Sequence, residues 1–160
     1  MNHYNNYYYD RRDHYPEVAR LPYRYLVYIR NRTHKRINPA VYDPYSEKRF
    51  YKINCHAKFY CYYCRNEWTS NKVSIELWWN TNRTEFDVRM YGQKCKYCNS
   101  NFMRPYIINN DIYHILNIFI RVLTSYNYGT RNNINRNINK VNSSHKRDKC
   151  QKCIMFGINE

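Results

Sequence analysis

Glycine is nearly absent from this chain of 160 residues, with Gly92, Gly129 and Gly157 the only three. That leaves no glycine-rich loop to cradle a phosphate between a strand and a helix, and no nucleophile motif stands in its place. No run of about 18 apolar residues occurs, so no transmembrane helix is expected. The first 20 residues are dominated by Asn, Tyr, Arg and Asp and contain no apolar leader. The expectation is a reducing, cytoplasmic environment in which the sequons at Asn31, Asn82 and Asn142 stay unmodified. Acids are also scarce: 12 Asp and Glu stand against 27 Lys and Arg, a formal charge of +15. Residues 1–60 carry 12 Lys and Arg against five acids, and residues 131–152 carry seven against Asp148 alone, so the ends are the basic parts. Such a balance favours polyanionic partners, nucleic acid or an anionic membrane face, although a solvated basic surface has the same composition.

Aliphatic side chains are in short supply as well. Hydrophobic residues make up 43%, but 20 of the chain's residues are tyrosines and six are phenylalanines, and mean hydropathy is −0.95. A chain of one-domain size with so thin a core tends to recruit disulfides or a metal. Seven cysteines are present, and six fall into three CxxC pairs: Cys61 with Cys64, Cys95 with Cys98, and Cys150 with Cys153, leaving Cys55 alone. In a reducing compartment these pairs point to metal rather than disulfides.

Residues 1–20 show no periodicity, and Pro16 and Pro22 punctuate the approach to residue 23. Residues 23–30 (YRYLVYIR) are compatible with a strand or a short helix, and Pro39 and Pro44 mark a loop. From Lys72 to Trp79 the alternation is clear, with Val73, Ile75, Leu77 and Trp79 on one face and Ser74, Glu76 and Trp78 on the other. Residues 80–84 read as a turn, and Phe86, Val88 and Met90 then alternate with Glu85, Asp87, Arg89 and Tyr91, which predicts an antiparallel hairpin. Gly92 ends the second strand where the chain bends toward Cys95. The period changes over residues 111–123, where Ile112, Ile115, Leu116, Phe119, Val122 and Leu123 mark one face of an amphipathic helix capped by Asp111. Residues 126–144 are Asn-rich and too polar to order themselves.

A CxxC knuckle sets two thiolates at the separation a tetrahedral zinc ion needs, and two knuckles at the ends of a hairpin supply four ligands. Cys61, Cys64, Cys95 and Cys98 fit that arrangement, with enough chain between the pairs for two strands and a turn. A fully Cys-ligated zinc has no open coordination position, so its role is structural and no enzymatic activity is expected. A redox CxxC of thioredoxin type would want a βαβ context, which the pattern lacks. Cys150 and Cys153 suggest a second zinc site, with His145 as a third ligand and Cys55 or His56 as candidates for a fourth.

The strings KFYCYYCRNEWTSNKVSIELWW and FDVRMYGQKCKYC, with Phe59, Trp68, Ser70 and Gln93 placed around the first two pairs, resemble the zinc-binding 3CxxC domain of receptor-transporting proteins. The resemblance spans roughly residues 50–155, the late CxxC included. It implies a non-enzymatic adaptor that helps membrane receptors reach the cell surface, working at the cytoplasmic face of membranes. The related zygote-arrest branch shares the pattern and is associated with messenger RNA.

The fold expected is α+β, a small zinc-ribbon-like antiparallel sheet with a packed amphipathic helix and disordered basic ends. Its parts are a flexible Tyr/Arg-rich arm (1–22), the zinc-binding core (23–125), an Asn-rich basic linker (126–149) and a third CxxC segment (150–160) folded back on the core. Two partners suit the sequence, and the specific residues of the resemblance favour the first, a protein client, over the second, RNA, whose support is the generic signal of charge. A membrane receptor or other protein client would dock on the outer face of the hairpin through Trp78, a residue that could equally be core covering the helix, with peripheral rather than spanning membrane association. RNA would instead engage Arg11, Arg12, Lys146 and Arg147, with neighbouring tyrosines stacking on bases.

Overall fold

The computed structural model describes residues 18–43, 49–98, 101–125 and 146–156. Its elements in chain order are β1 (Ala19–Arg20), α1 (Tyr23–Thr33), β2 (Arg36–Ile37), a 3₁₀ turn (Pro39–Val41), β3 (Phe50–Tyr60), β4 (Glu67–Trp79), β5 (Glu85–Met90), β6 (Tyr106–Ile107), α2 (Asn109–Thr124), a second 3₁₀ turn (Arg147–Lys149) and α3 (Gln151–Phe156). The fold is α+β.

The alternating runs become a twisted sheet in the order β1-β5-β4-β3-β6, with the short β2 running parallel to the far end of β5. β3 and β4 form a long antiparallel hairpin from Phe50 opposite Trp78 to Tyr60 opposite Glu67, interrupted by a bulge in which Asn71 and Lys72 of β4 stand opposite His56 of β3. β4 and β5 form the second hairpin, from Trp79 opposite Phe86 to Ile75 opposite Met90. Its turn is held by Asn80, whose side-chain oxygen accepts from the Thr84 and Glu85 backbone N–H groups. Arg83 reaches from the same turn to the carbonyls of Val122 and Ser125, satisfying groups that the end of α2 leaves open.

One face of the sheet is the apolar core. Val73, Ile75 and Leu77 of β4, Phe86 and Val88 of β5, and Ile53, Ala57 and Phe59 of β3 pack under α1 and α2. The α2 stripe enters this core as the periodicity predicts, although the helix begins two residues before Asp111. Ile108 takes the N-cap position without a side-chain cap, and Asp111 sits in the first turn, where its charge suits the helix dipole. Segment 23–30, open between strand and helix on the sequence, is helical. The Pro22 carbonyl accepts the first helical bonds from Tyr25 and Leu26, and Leu26, Ile29 and Thr33 recur on one buried face. A strand over 23–30 stops short of Thr33, the residue that completes the helical period. The helix ends at His34, which adopts a left-handed conformation (φ 58°) and donates its N–H to the Arg30 carbonyl.

Residues 18–22 are not part of an arm. Val18 and Leu21 are buried, and Ala19 and Arg20 pair with Met90 and Arg89 of β5. The pairing partner lies some 70 residues away, so no local pattern announces it.

The second face of the sheet corrects the sequence reading more deeply. Alternation puts Ser74, Glu76, Trp78, Asp87, Arg89 and Tyr91 on an outer surface, yet all six are buried. Phe50 stacks on Trp78 (4.9 Å between ring centroids), Tyr42 meets it edge-on, and α3 closes over the rest. Glu76 accepts from Trp78 Nε1 (3.1 Å) and Tyr91 Oη (2.7 Å) and pairs with Lys152 of α3. Asp87 pairs with Arg20 (2.9 Å) and Arg89 (2.8 Å). Trp78 is 3% exposed and unavailable as a docking residue.

Gly92 sits at the junction of three segments. A Cβ there would lie 2.7 Å from the Met103 carbonyl oxygen and 3.2 Å from Gln151 Oε1. The substitution Gly92→Ala is therefore expected to cost about 1–3 kcal/mol through forced backbone displacement. Chemical denaturation of the zinc-loaded variant measures this, and an unchanged midpoint would contradict it.

Candidate metal centre

The two hairpins bring two cysteine knuckles to one end of the sheet. The first is the turn between β3 and β4: Cys61 donates its N–H to the Asn66 carbonyl (2.9 Å), and Arg65 donates to the Cys61 carbonyl (2.8 Å). Arg65 takes a left-handed conformation (φ 61°) to close that loop. The second knuckle, Cys95–Cys98, comes after β5 and returns beside the first. The Sγ atoms of Cys61, Cys64, Cys95 and Cys98 all lie within 4.8 Å of one another. Cys61 faces Cys98 at 3.4 Å and Cys64 faces Cys95 at 3.5 Å. A zinc–sulfur bond of about 2.3 Å implies tetrahedral S···S edges of about 3.8 Å, so the donor set is already zinc-sized.

The electrostatics agree with that chemistry. Burial raises the Cys95 thiol, but the backbone N–H groups of Cys98 and Tyr97, with the neighbouring thiols, outweigh it and bring it below its ordinary range. Cys64 is pushed up to about 12: the Asn66 backbone N–H lowers it, but desolvation and the thiols of Cys95, Cys61 and Cys98 prevail. Crowded thiolates oppose one another's ionisation, and a bound dication removes that conflict.

A layer of side chains beneath the thiolates fixes the two knuckles to each other. Phe59 stacks on Trp68 at 5.2 Å. Trp68 Nε1 donates to Gln93 Oε1 (3.1 Å), and Gln93 Nε2 donates to Ser70 Oγ (2.8 Å). Asn66 Nδ2 lies 3.8 Å from Cys95 Sγ. Gln93 precedes the second pair and reaches back to β4, which leads out of the first, so these residues orient the ligands from behind. Their positions around the pairs are visible in the sequence; their mutual contacts are not.

The third CxxC lies alongside rather than within this cluster. Gln93 and Cys150 form a β-bridge, Lys94 donates to the Lys149 carbonyl (2.9 Å), and Gln151 exchanges hydrogen bonds with Gly92. The segment from Lys146 to Lys149, linker on the sequence reading, thus belongs to the docked tail. Cys150 is buried and Cys153 half-buried. Among the described residues no third donor converges on them. Cys55 is not a candidate: it is buried in the apolar core, where desolvation pushes its thiol up to about 12. A strand residue facing the helices cannot turn toward the tail. His56 lies on β3 opposite the β4 bulge, and His145, Arg11 and Arg12 lie outside the described residues. Lys146 is exposed, and Arg147 belongs to a 3₁₀ turn.

Sequence reasoning passed over the residues inside the CxxC motifs. Tyr62, Tyr63 and Tyr97 are 71%, 65% and 68% exposed, and Lys96 Nζ lies 4.6 Å above the Tyr97 ring. The signal was available, because the two central positions of a knuckle point away from the ion its cysteines hold.

An antiparallel sheet whose strand ends carry two cysteine knuckles converging on one tetrahedral donor set defines a zinc-ribbon metal-binding protein. The 3CxxC zinc-ribbon model, described as a zinc-binding domain, matches residues 54–155, and the chain belongs to that family. No match was found among curated proteins or among solved structures. Cys61, Cys64, Cys95 and Cys98 are the residues that fit the zinc ion.

Proposed function

We propose that this protein is a non-enzymatic binding module in which zinc holds the knuckle tips as a rigid platform for single-stranded RNA. The observation that carries the reading is the set of exposed tyrosines, Tyr62, Tyr63 and Tyr97, grouped around the four-cysteine centre with exposed Arg65 and Lys96. Bases stack on such rings at about 1–3 kcal/mol each, and the cations neutralise phosphates. Exposed Glu67 is the acid nearest in sequence to the first knuckle, and it leaves the balance positive. Triple replacement Tyr62→Ala, Tyr63→Ala and Tyr97→Ala is expected to weaken binding of a single-stranded oligoribonucleotide at least tenfold, with zinc content and melting temperature unchanged. Equal affinity of the variant and the native chain would defeat the reading.

The adaptor reading draws on the pattern shared with receptor-transporting proteins and on tyrosine's value as an interface anchor. It places the same tips against a membrane receptor or other protein client at the cytoplasmic face of a membrane, since Trp78 is covered. Salt separates the two: RNA affinity falls steeply between low and moderate salt, whereas a tyrosine-anchored protein contact changes little.

A further inference from the structure

A cleft of about 370 Å³ opens between α1, β1 and the segment from β2 to the first 3₁₀ turn, lined by Arg20, Tyr23, Arg30, Arg36, Ile37 and Pro39. Its volume falls within the range of small-ligand sites. It lies along the β5 edge of the sheet, whereas the zinc knuckles lie at the end where the β3–β4 hairpin turns. We propose that this cleft binds the phosphate group of a nucleotide.

Three guanidinium groups border one opening, and two of them are held in place. Arg20 Nε and Nη2 donate to Asp87 (3.0 and 2.9 Å), a fully buried carboxylate that also pairs with Arg89. Arg36 pairs with Glu85, which in turn accepts from Asn38 Nδ2 at 2.9 Å. Each carboxylate lies on β5 and fixes its arginine from the sheet side. A guanidinium has five N–H donors, so both retain donors for a ligand. The third, Arg30, is exposed on α1 and has no side-chain hydrogen bond or ion pair among the described residues.

The charge count explains the sign of the ligand. Arg20 and Arg89 share Asp87 and Arg36 pairs with Glu85, so with Arg30 four cations stand against two carboxylates and leave a positive excess. Residues 18–43 add Arg24, Arg32 and Lys35, with Asp43 their sole acid. A planar donor fork paired with phosphate oxygens is the geometry arginine suits best. Tyr23 is 64% exposed at the rim and offers a ring face to a base beside the bound phosphate.

The test uses the full zinc-loaded chain and three probes: inorganic phosphate, adenosine 5′-monophosphate and a single-stranded oligoribonucleotide, titrated by NMR and calorimetry. Saturable shifts at Tyr23, Arg30 and Ile37 are expected with the mononucleotide. Arg30→Gln should weaken that binding about tenfold or more, as loss of a charge-assisted hydrogen bond does, with no change in melting temperature because the Arg30 side chain holds no other of the described residues. If the oligoribonucleotide binds the cleft more tightly, with a salt slope that drops by about one in the variant, the phosphate is supplied by RNA; if it does not, the ligand is a free nucleotide. The triple knuckle-tyrosine variant should keep mononucleotide binding, so the two sites succeed or fail separately. No saturable shift at the cleft with any probe, or affinity indifferent to Arg30→Gln, overturns the proposal.

Discussion

Stripping zinc from the protein with a strong chelator is expected to unfold it. Structural zinc contributes about 10–16 kcal/mol of apparent binding free energy in small zinc domains, as much as or more than the 5–15 kcal/mol by which ordinary domains are stable. The same ion joins the β3–β4 turn to the chain leaving β5, so its loss releases both hairpins at once. Four thiols packed within 4.8 Å are then left without the dication that reconciles their charges. Chelator titration followed by circular dichroism, with released zinc measured by an absorbing dye, should show loss of structure in step with release of one equivalent from this centre. Cys95→Ser should reproduce the loss without chelator. Cys150→Ser with Cys153→Ser should keep that equivalent, and a wild-type excess over it would report a second ion at the tail. A chain that melts at the same temperature with and without chelator would refute the structural role. Acid should act in the chelator's direction, because protons compete with zinc for the thiolates as pH falls.

Replacement of Lys152 by Ala is expected to destabilise the fold by about 3–5 kcal/mol, the cost of leaving a buried carboxylate without its counter-ion. Glu76 is 2% exposed, and its two other partners, Trp78 and Tyr91, are neutral donors. Burial pulls the Lys152 ammonium below its ordinary range while Glu76 pulls it up, so the pair is retained at a desolvation cost to both members. The double variant Lys152→Met with Glu76→Gln should recover most of the loss, since it removes both charges together. The measurement is denaturant unfolding of the zinc-loaded proteins. Thiol alkylation gives a second readout: if the Lys152–Glu76 pair clamps the tail, buried Cys150 becomes reactive in Lys152→Ala. A loss under about 1 kcal/mol, with Cys150 still protected, would show that the Gln151–Gly92 hydrogen bonds hold the tail without it.

The amino-acid sequence by itself determined the parts whose information is local. The β4–β5 hairpin comes from a two-residue period over Val73–Trp79 and Glu85–Met90, and α2 from the spacing of Ile112, Ile115, Phe119 and Val122. The zinc ligands come from two CxxC motifs separated by a hairpin's length of chain. The tyrosines within those motifs are equally legible, because the central residues of a knuckle point outward.

The tertiary structure decided what depends on residues remote in the chain. Trp78 occupies an alternating strand position that the sequence leaves open between core and surface, and it is buried because Phe50 and Tyr42 arrive from elsewhere to cover it. Alternation reports which residues share a face, not whether that face is covered. Glu76 finds its cation 76 residues away, and Asp87 finds Arg20 at a separation of 67. The same long-range assembly places Cys55 in the core, the third CxxC beside Gln93, and three arginines around one cleft. Side-chain period is a property of a segment, whereas burial and charge compensation are properties of how segments meet.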